Sequence, residues 1–394
     1  MRVGIVGLPN IGKSTLFNAL TRTTLAQAAN YPFCTVEPNK ASCPIPDAQL
    51  EVLAGIASSE KIVRSTVDFV DIAGLVRGAS KGDGLGNKFL ANIRDQVDVL
   101  IHVVRGFDDT NISHVDGTTG AVRDIETVNT ELQLADLEVL ERRRGKSGGG
   151  KKGGKGAPLL DIDPLLEEPF LDEVAGALDD GRSALWACHA AATAAAPESA
   201  EAAEVDAKLR ADALGKIGLI TCKPTMHVLN VGEDECEPAA HAEIVSEVAA
   251  HLEESDVSSF TRVFALCATV EQELGEIADA EERAELIEAY GMAESGLDAV
   301  LRASVDLLHL QPFFTVGPKE AHAWSVRRGT PAVEAAGKIH SDIERGFIRA
   351  EVIGYDDFVE HGGESGAKAA GKARLEGKDY VMQSGDVVHF RFNV

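Results

Sequence analysis

The feature that most constrains this chain is a glycine-rich segment at residues 7–14, between an apolar run and a helical pattern. It reads Gly7-Leu8-Pro9-Asn10-Ile11-Gly12-Lys13-Ser14. In the pattern Gly-x4-Gly-Lys-Ser, backbone N–H groups surround the phosphates of a nucleotide, the lysine reaches the β and γ oxygens, and the serine hydroxyl binds Mg²⁺. The spacing therefore predicts a nucleoside triphosphate site. Its phosphate-binding residues are Asn10, Ile11, Gly12, Lys13, Ser14 and Thr15.

Five apolar runs rich in β-branched residues are separated by helix-like stretches. An alternation of strand and helix is typical of a parallel sheet with helices on both faces. The predicted fold class is therefore α/β, a doubly wound, mainly parallel sheet in a P-loop NTPase domain. The runs occupy residues 3–6, 67–70, 97–104, 226–231 and 263–266.

The gap between the third and fourth runs is too long for one crossover helix. An amphipathic helix is predicted where the chain leaves the sheet, since Leu132, Leu137 and Leu140 alternate with acidic residues. The alanine-rich residues 181–214 are its expected partner, which gives a helical antiparallel hairpin. We place this insertion at residues 131–214. The P-loop domain then comprises residues 1–130 and 215–305.

A basic, low-complexity segment lies inside the insertion. Residues 142–155 carry seven basic residues and no acidic one, whereas residues 161–180 carry eight carboxylates and no Lys or Arg. We predict a mobile loop at residues 145–157, because this glycine-rich stretch has almost nothing to bury. Two interpretations stay open for it: a solvated linker, which is favoured, and a tip that contacts RNA.

A new domain is predicted from residue 306 to residue 394. Strand-like runs occur at residues 313–316, 322–326 and 387–392, and a helical pattern occurs at residues 333–343. This mixture predicts a small α+β unit.

A triphosphatase of this class needs a second hydroxyl on the metal and an aspartate at a strand end. Thr35 follows the first helix in a loop, and Asp71 ends the second apolar run. We predict that Ser14, Thr35 and Asp71 bind the Mg²⁺ ion. Gly74 follows Asp71 closely, and its N–H is expected to meet the γ-phosphate.

Leu75 stands where many GTPases of this layout carry a glutamine that orients the attacking water. A leucine cannot do this, so intrinsic hydrolysis is expected to be slow unless another group holds the water. His102 and His114 are the nearest imidazoles in sequence. His102 lies within an apolar run and is interpreted as structural. His114 lies in a loop and is the better catalytic candidate, together with Lys13 and Gly74.

The base site is predicted at two strand ends. Guanine is normally recognised by an Asn-Lys-x-Asp segment, but the fourth run ends in Asn230-Val231-Gly232-Glu233, without the lysine and with glutamate as the acid. The last run leads into Cys267 and Ala268, again without a lysine. An asparagine oxygen can accept a hydrogen bond from the adenine amine, so ATP is the preferred ligand. The predicted base-site residues are Asn230, Val231, Glu233, Cys267 and Ala268.

Composition limits the partners and the compartment. The net charge of −25 argues against general or sequence-specific DNA binding, because phosphate contacts need Lys and Arg. No stretch of 18 or more apolar residues occurs, and the first strand begins at once, so we expect no membrane span, no leader and a cytoplasmic location. The six cysteines form no Cys-x-x-Cys pair, so reduced thiols are expected.

Several segments together resemble the YchF or Obg-like ATPase family, in the Obg branch of translation-factor-type GTPases. The resemblance covers nearly the whole chain, although the insertion departs most from the family pattern. The segments that carry it are residues 7–15, Tyr31-Pro32-Phe33-Cys34-Thr35-Val36-Glu37-Pro38-Asn39, residues 71–82, Asn129-Thr130-Glu131-Leu132, residues 336–342 and residues 346–350.

The resemblance implies a G domain interrupted by a helical hairpin and followed by a TGS domain of β-grasp type. It also implies a preference for ATP over GTP through Asn230, Val231 and Glu233, a catalytic role for His114, and association with the ribosome or its large subunit. The leading hypothesis is a slow Mg²⁺-dependent ATPase that acts as a switch in translation or the stress response. The alternatives are a GTPase in ribosome assembly and a nucleotide-sensing protein with negligible turnover.

Overall fold

The structure is a computed structural model, and it divides into two compact units. The first unit comprises the described residues within Met1–Ala26, Val36–Ala41 and Asp68–Ala299, and the second comprises residues 27–28 and the described residues within Ser42–Val67 and Val300–Val394. The described residues are 1–28, 36–37, 40–72, 85–107, 120–147, 163–195, 197, 199–255, 261–277 and 279–393.

Strands and helices are numbered in chain order. The strands are β1 (Arg2–Val6), β2 (Val36–Glu37), β3 (Lys40–Pro44), β4 (Ile62–Val63), β5 (Thr66–Asp71), β6 (Val99–Arg105), β7 (Thr225–Asn230), β8 (Thr261–Leu266), β9 (Leu310–Val316), β10 (Ala321–Arg327), β11 (Phe347–Ile353), β12 (Arg374–Glu376) and β13 (Asp386–Phe392). The helices are α1 (Lys13–Ala28), α2 (Ala48–Ala57), α3 (Leu85–Gln96), α4 (Ala121–Ser147), α5 (Glu168–Asp179), α6 (Ala184–Ala194), α7 (Ala200–Lys216), α8 (Pro238–Ser255), α9 (Ala268–Leu274), α10 (Ala280–Ala289), α11 (Gly296–Leu307), α12 (Ala332–Ile339), α13 (Ser341–Arg345), α14 (Tyr355–Glu360) and α15 (Glu364–Ala369).

The larger sheet has the strand order β2-β3-β5-β1-β6-β7-β8. Its strands β5, β1, β6, β7 and β8 are parallel, which confirms the predicted doubly wound sheet. Every residue of β6 is buried, as expected for a central strand that helices cover on both faces. Parallel strands place their carboxyl ends at one edge, so the ends of β1, β5, β6, β7 and β8 meet there.

The insertion packs α4 with α5, α6 and α7 around an apolar cluster of its own. The expected partner stretch, residues 181–214, holds α6 and α7, but α5 also contributes through Phe170, Leu171 and Val174. In the sequence, the residues of α5 stand out mainly for their carboxylates, so its apolar face was not predicted. Of the predicted basic loop, residues 148–157 lie outside the described part of the chain.

A buried carboxylate fixes the insertion where the chain returns to the sheet. Asp136 on α4 accepts hydrogen bonds from the backbone N–H groups of Ile220 and Thr221, at 2.8 Å each, and from the Thr221 hydroxyl at 2.8 Å. Its side chain is fully buried, and burial raises the pKa of Asp136 to about 6. These bonds hold residues 220–221 immediately before β7.

The second unit contains a sheet in the order β12-β11-β13-β9-β10-β4. One apolar cluster packs α12 against Phe313 and Val388, and another packs α2 against Phe314 and Val387. The predicted helix at residues 333–343 is interrupted at His340, which is extended and whose ring accepts a hydrogen bond at the start of α13. The mixed α+β character agrees with the sequence prediction.

Residues 42–67 belong to the second unit, whereas the sequence prediction placed them in the P-loop domain. Strand β4 pairs in parallel with β10, and Lys61 binds Glu320 at 3.0 Å. Asp47 caps the N-terminus of helix α2, and its carboxylate accepts from two backbone N–H groups. Because β4 is only two residues long, its pairing with a strand some 260 positions later left no periodic signal in the sequence.

Candidate nucleotide-binding site

The loop between β1 and α1 has a backbone that requires its glycines. Gly12 has φ +94°, and a Cβ there would lie 2.2 Å from Nδ2 of Asn230. Gly7 has φ +144°, and a Cβ there would lie 2.5 Å from the carbonyl oxygen of Val103. Asn10 is also left-handed, at φ +62°, which asparagine tolerates better than most residues. The loop therefore passes close to neighbouring strands and presents its backbone at the N-terminus of α1.

Lys13 is a buried cation at the first position of α1. Its side chain is 8% exposed, and Nζ donates to the carbonyl oxygen of Leu8 at 2.5 Å. Burial lowers the pKa of Lys13 to about 8, and the charge of Asp71 opposes this shift. A phosphate oxygen beside Nζ would supply the compact negative charge that a buried ammonium lacks.

Asp71 ends β5 at the same edge of the sheet, paired in register with Ile5 of β1. Burial raises the pKa of its carboxyl, and Lys13 lowers it. Ser14 is the second residue of α1 and is exposed. A hydroxyl and a carboxylate are the hard oxygen donors that Mg²⁺ prefers, so these two residues fit the ion that the sequence predicts.

Asn230 joins three segments of the chain at the end of β7. Its Nδ2 donates to the carbonyl oxygen of Ile11 at 3.1 Å, and its Oδ1 accepts from the backbone N–H of Ala268 at 2.9 Å. The residue is buried. We call this pair of hydrogen bonds the Asn230 bridge, because it ties the phosphate loop to the start of α9.

A cleft of about 630 Å³ opens beside the Asn230 bridge. Eight of the predicted site residues line it, from the phosphate loop and from the two strand ends. Of the other predicted site residues that the structure describes, Ile11, Lys13, Ser14 and Asp71 are not among those that line it. The residues that line the cleft are Asn10, Gly12, Thr15, Phe107, Asn230, Val231, Gly232, Glu233, Cys267, Ala268 and Thr269.

Phe107 is a lining residue that the sequence analysis missed, as are Gly232 and Thr269. Its carbonyl oxygen accepts from Nε of the buried Arg105 at 3.0 Å, and the Arg105 guanidinium lies 4.5 Å from the centre of its ring. This contact fixes an aromatic ring at the mouth of the cleft. The available signal was its place just beyond β6, at the edge where the strand ends meet.

The loop after Asn230 is a short 3₁₀ turn over Glu233–Glu235. The Glu235 carboxylate accepts from the N–H of Gly232 at 3.0 Å, and the N–H of Val231 donates to Leu266 at the end of β8. These bonds leave the exposed Glu233 at the rim of the cleft. The predicted base-site residues are therefore together on one wall.

Known proteins resemble this chain over its whole length. A family model for a 50S ribosome-binding GTPase matches residues 2–140, and a YchF-type GTPase C-terminal model, described as a protein of unknown function, matches residues 310–393. A ribosome-binding ATPase YchF of Haemophilus influenzae is 47% identical over 399 residues, covering 100% of this chain and 99% of that protein. The chain belongs to the YchF family. A ribosome-binding ATPase YchF of Bacillus subtilis is 44% identical over 394 residues and covers 100% of both chains.

A solved structure supports the fold of this YchF chain. The structure of the Schizosaccharomyces pombe YchF GTPase matches with a TM-score of 0.79 and 29% identity, over 99% of this chain and 97% of that one. Within the described residues, no helix is both long and apolar enough to span a membrane.

Three predicted site residues of this YchF protein, Thr35, Gly74 and His114, lie outside the described part of the chain. His102 lies within it, in β6 beside His227 of β7, with ring centres 5.2 Å apart. Burial lowers the pKa of His102 well below its usual value, with a further contribution from His227. A buried, neutral imidazole on β6 that packs against His227 of the neighbouring strand agrees with the structural interpretation of His102.

Proposed function

We propose that this YchF-family protein is a ribosome-binding ATPase that binds ATP in the cleft beside the phosphate loop and hydrolyses it slowly with Mg²⁺. The observation that carries this proposal is the buried Lys13 at the N-terminus of α1, between Gly12 and Thr15, which line the cleft. The curated relatives named ribosome-binding ATPase YchF support the activity and the partner.

Phosphate binding follows from three positive features at one place. The start of α1 carries the positive end of a helix dipole and unsatisfied N–H groups. The ammonium of Lys13 is buried and donates a hydrogen bond to the carbonyl oxygen of Leu8 at 2.5 Å. A triphosphate would replace this uncharged partner with charged oxygens, and we therefore assign the β and γ phosphates to Lys13.

Ser14, Asp71 and Thr35 are the proposed residues around Mg²⁺. When bound, the ion would neutralise charge on the phosphate oxygens. Ser14 follows Lys13 directly, so its hydroxyl lies at the same helix terminus. Asp71 supplies a carboxylate from the neighbouring strand end.

Base choice is proposed to rest on the wall that contains Asn230, Val231 and Glu233. The Oδ1 atom of Asn230 already accepts one hydrogen bond, from Ala268, and a carbonyl oxygen has a second lone pair. That lone pair suits the adenine amine and not the guanine oxygen. Phe107 provides a stacking surface for either purine, so it adds affinity and little selectivity.

Hydrolysis is proposed to depend on His114, since Leu75 offers no polar atom to orient water. Gly74 would contribute a backbone N–H toward the γ-phosphate. We expect His114→Ala to lower single-turnover ATP hydrolysis by about a hundredfold, the scale of a lost acid–base group, with ATP affinity unchanged. His389→Ala, at an exposed position of β13, is the matched control. Equal hydrolysis by the His114 variant and the control would contradict this role.

GTP hydrolysis is the second candidate activity. The matching model of residues 2–140 is described as a 50S ribosome-binding GTPase, and the similar fission yeast structure is named a GTPase. The missing lysine and the glutamate at residue 233 favour ATP.

A role as a nucleotide-dependent switch on the ribosome would place the protein in the cytoplasm.

The experiment that tests the proposal combines turnover with co-sedimentation. Hydrolysis of ATP and GTP would be measured with Mg²⁺ and with EDTA, in the presence and absence of 50S subunits. Pelleting of the protein with 50S subunits would be measured with ATPγS, with ADP and without nucleotide. We expect Mg²⁺-dependent ATP hydrolysis and pelleting that changes with nucleotide. Absence of pelleting under all three conditions would refute the ribosomal role, and metal-independent turnover would refute the site.

A further inference from the structure

Two cysteines meet behind the wall of the cleft. Cys236 follows the 3₁₀ turn over Glu233–Glu235, and Cys267 is the residue immediately before α9. Both are free thiols and both are buried in the same apolar cluster. Burial raises the pKa of Cys236, and the neighbouring Cys267 thiol raises it further. Sγ of Cys236 lies 3.8 Å from the carbonyl oxygen of Gly232. The two loops are adjacent, because the N–H of Val231 donates to the carbonyl oxygen of Leu266, and their thiols share one apolar cluster.

The position of Cys267 determines when an oxidant can reach the pair. Cys267 lines the cleft together with Val231 and Ala268. A nucleotide base held against this wall would cover Cys267, whereas the empty cleft lets a small oxidant approach it. This step rests on the proposed function, because it requires the nucleotide to occupy the cleft.

We propose that Cys236 and Cys267 are a modification site that forms a disulfide with a hydroperoxide oxidant, and that bound nucleotide protects the pair. The Cys267 thiol gives up its proton, its sulfur attacks one peroxide oxygen and the O–O bond breaks, which forms a sulfenic acid and hydroxide. The hydroxide takes up the released proton and leaves as water. The sulfur of Cys236 then attacks the sulfenic sulfur, forms the S–S bond and expels hydroxide, which takes the thiol proton and leaves as water. With hydrogen peroxide, two thiols lose two electrons and one peroxide becomes two waters.

Burial of Cys236 limits the rate of the second step. Burial raises the pKa of Cys236, so little of that thiol is ionised at neutral pH and thiol chemistry is slow in the closed protein. A disulfide needs an S–S length near 2.05 Å. The two sulfur atoms must therefore come closer than two unbonded thiols can, and the loops that carry them must move toward each other. Local opening at the cleft wall supplies this freedom.

A second pair of thiols in the same chain serves as the internal control. Cys188 and Cys222 are buried in the apolar cluster of the insertion, and burial raises the pKa of both. Neither residue is among those that line the cleft. Bound nucleotide should therefore leave the oxidation rate of this pair unchanged.

The test uses the full-length protein and hydrogen peroxide. The reduced protein would be treated with and without saturating Mg²⁺ and ATPγS, alkylated at intervals, digested and analysed by mass spectrometry for a peptide that links residues 236 and 267. We expect that peptide in the nucleotide-free sample and formation at least about fivefold slower with ATPγS, since protection follows occupancy. Cys236→Ala and Cys236→Ser should both eliminate it, and Cys188→Ala should not.

Separate readouts distinguish failure of this inference from failure of the proposed function. Calorimetry on the reduced protein measures ATPγS binding independently of oxidation. Absence of the linked peptide, or its formation at the same rate when calorimetry shows a saturated site, overturns the inference. If calorimetry detects no ATPγS binding, the proposed function fails and nucleotide protection fails with it.

Discussion

Replacing Asn230 with aspartate tests whether the Asn230 bridge assembles the site for any nucleotide. The substitution keeps an oxygen that accepts from the N–H of Ala268, but it replaces the Nδ2 donor with an oxygen facing the carbonyl of Ile11, now 3.1 Å from Nδ2. Two acceptors in a buried position repel each other, and the carboxylate loses its hydration. The phosphate loop should then be released from the end of β7.

The magnitude follows from the burial of both partners. Loss of the hydrogen bond costs about 1 kcal/mol, and leaving a buried acceptor unsatisfied costs about 1–3 kcal/mol. We therefore expect assembly of the loop in the Asn230→Asp protein to cost about 2–3 kcal/mol. If nucleotide binds only the assembled loop, binding must supply that energy, which is a loss of about one to two orders of magnitude in affinity.

The assay is calorimetric titration of ATPγS and GTPγS with Mg²⁺ into the wild-type and Asn230→Asp proteins. Both nucleotides should weaken by a common factor, since the phosphates are shared and the acceptor for the adenine amine is kept. Asn92→Asp, at an exposed position of α3, makes the same chemical change away from the site and should bind both nucleotides normally. Unchanged affinity for GTPγS with a loss for ATPγS alone would refute the reasoning about loop assembly.

Three further predictions concern Asp136 and Phe107. Asp136→Ala should lower the free energy of unfolding by about 2–4 kcal/mol in urea, because buried N–H groups of Ile220 and Thr221 lose their acceptor; a loss below about 0.5 kcal/mol would contradict this. Because burial raises the pKa of Asp136 to about 6 from 3.8, its contribution to stability is fully present below pH 3.8 and is lost as pH rises through 6. Asp136→Asn should remove that dependence when unfolding is compared at about pH 4 and about pH 7, on either side of this window, and an identical change in both proteins would contradict the assignment. Phe107→Ala should weaken ATPγS and GTPγS alike, by about tenfold for one lost stacking surface, as measured by calorimetry; a change in their ratio would show that Phe107 reads the base.

The sequence predicted features whose signal is local. The phosphate loop is contiguous, so its glycines, Lys13 and Ser14 could be recognised by spacing alone. The parallel strands β1, β5, β6, β7 and β8 were also predictable, because each is a short apolar run and their alternation with helices dictates the topology.

Contacts between distant segments were not predictable in the same way. The bond from Asn230 to Ile11 spans 219 positions, and the sequence suggested Asn230 only as a base-reading residue. Helix α5 carries its apolar side chains among carboxylates, so charge obscured its buried face. The placement of Cys236 and Cys267 in one apolar cluster depends on how two loops fold over the ends of β7 and β8, which no spacing between the cysteines reveals.

Relative affinity for adenine and guanine nucleotides is the property on which the account depends most. The direct measurement is calorimetric titration of the nucleotide-free protein with ATPγS and GTPγS, in the presence of Mg²⁺ and at one ionic strength. The account predicts clearly tighter binding of ATPγS, because Oδ1 of Asn230 can accept from adenine and the wall lacks the lysine and aspartate that select guanine. Equal or tighter binding of GTPγS would contradict it and would favour the GTPase alternative.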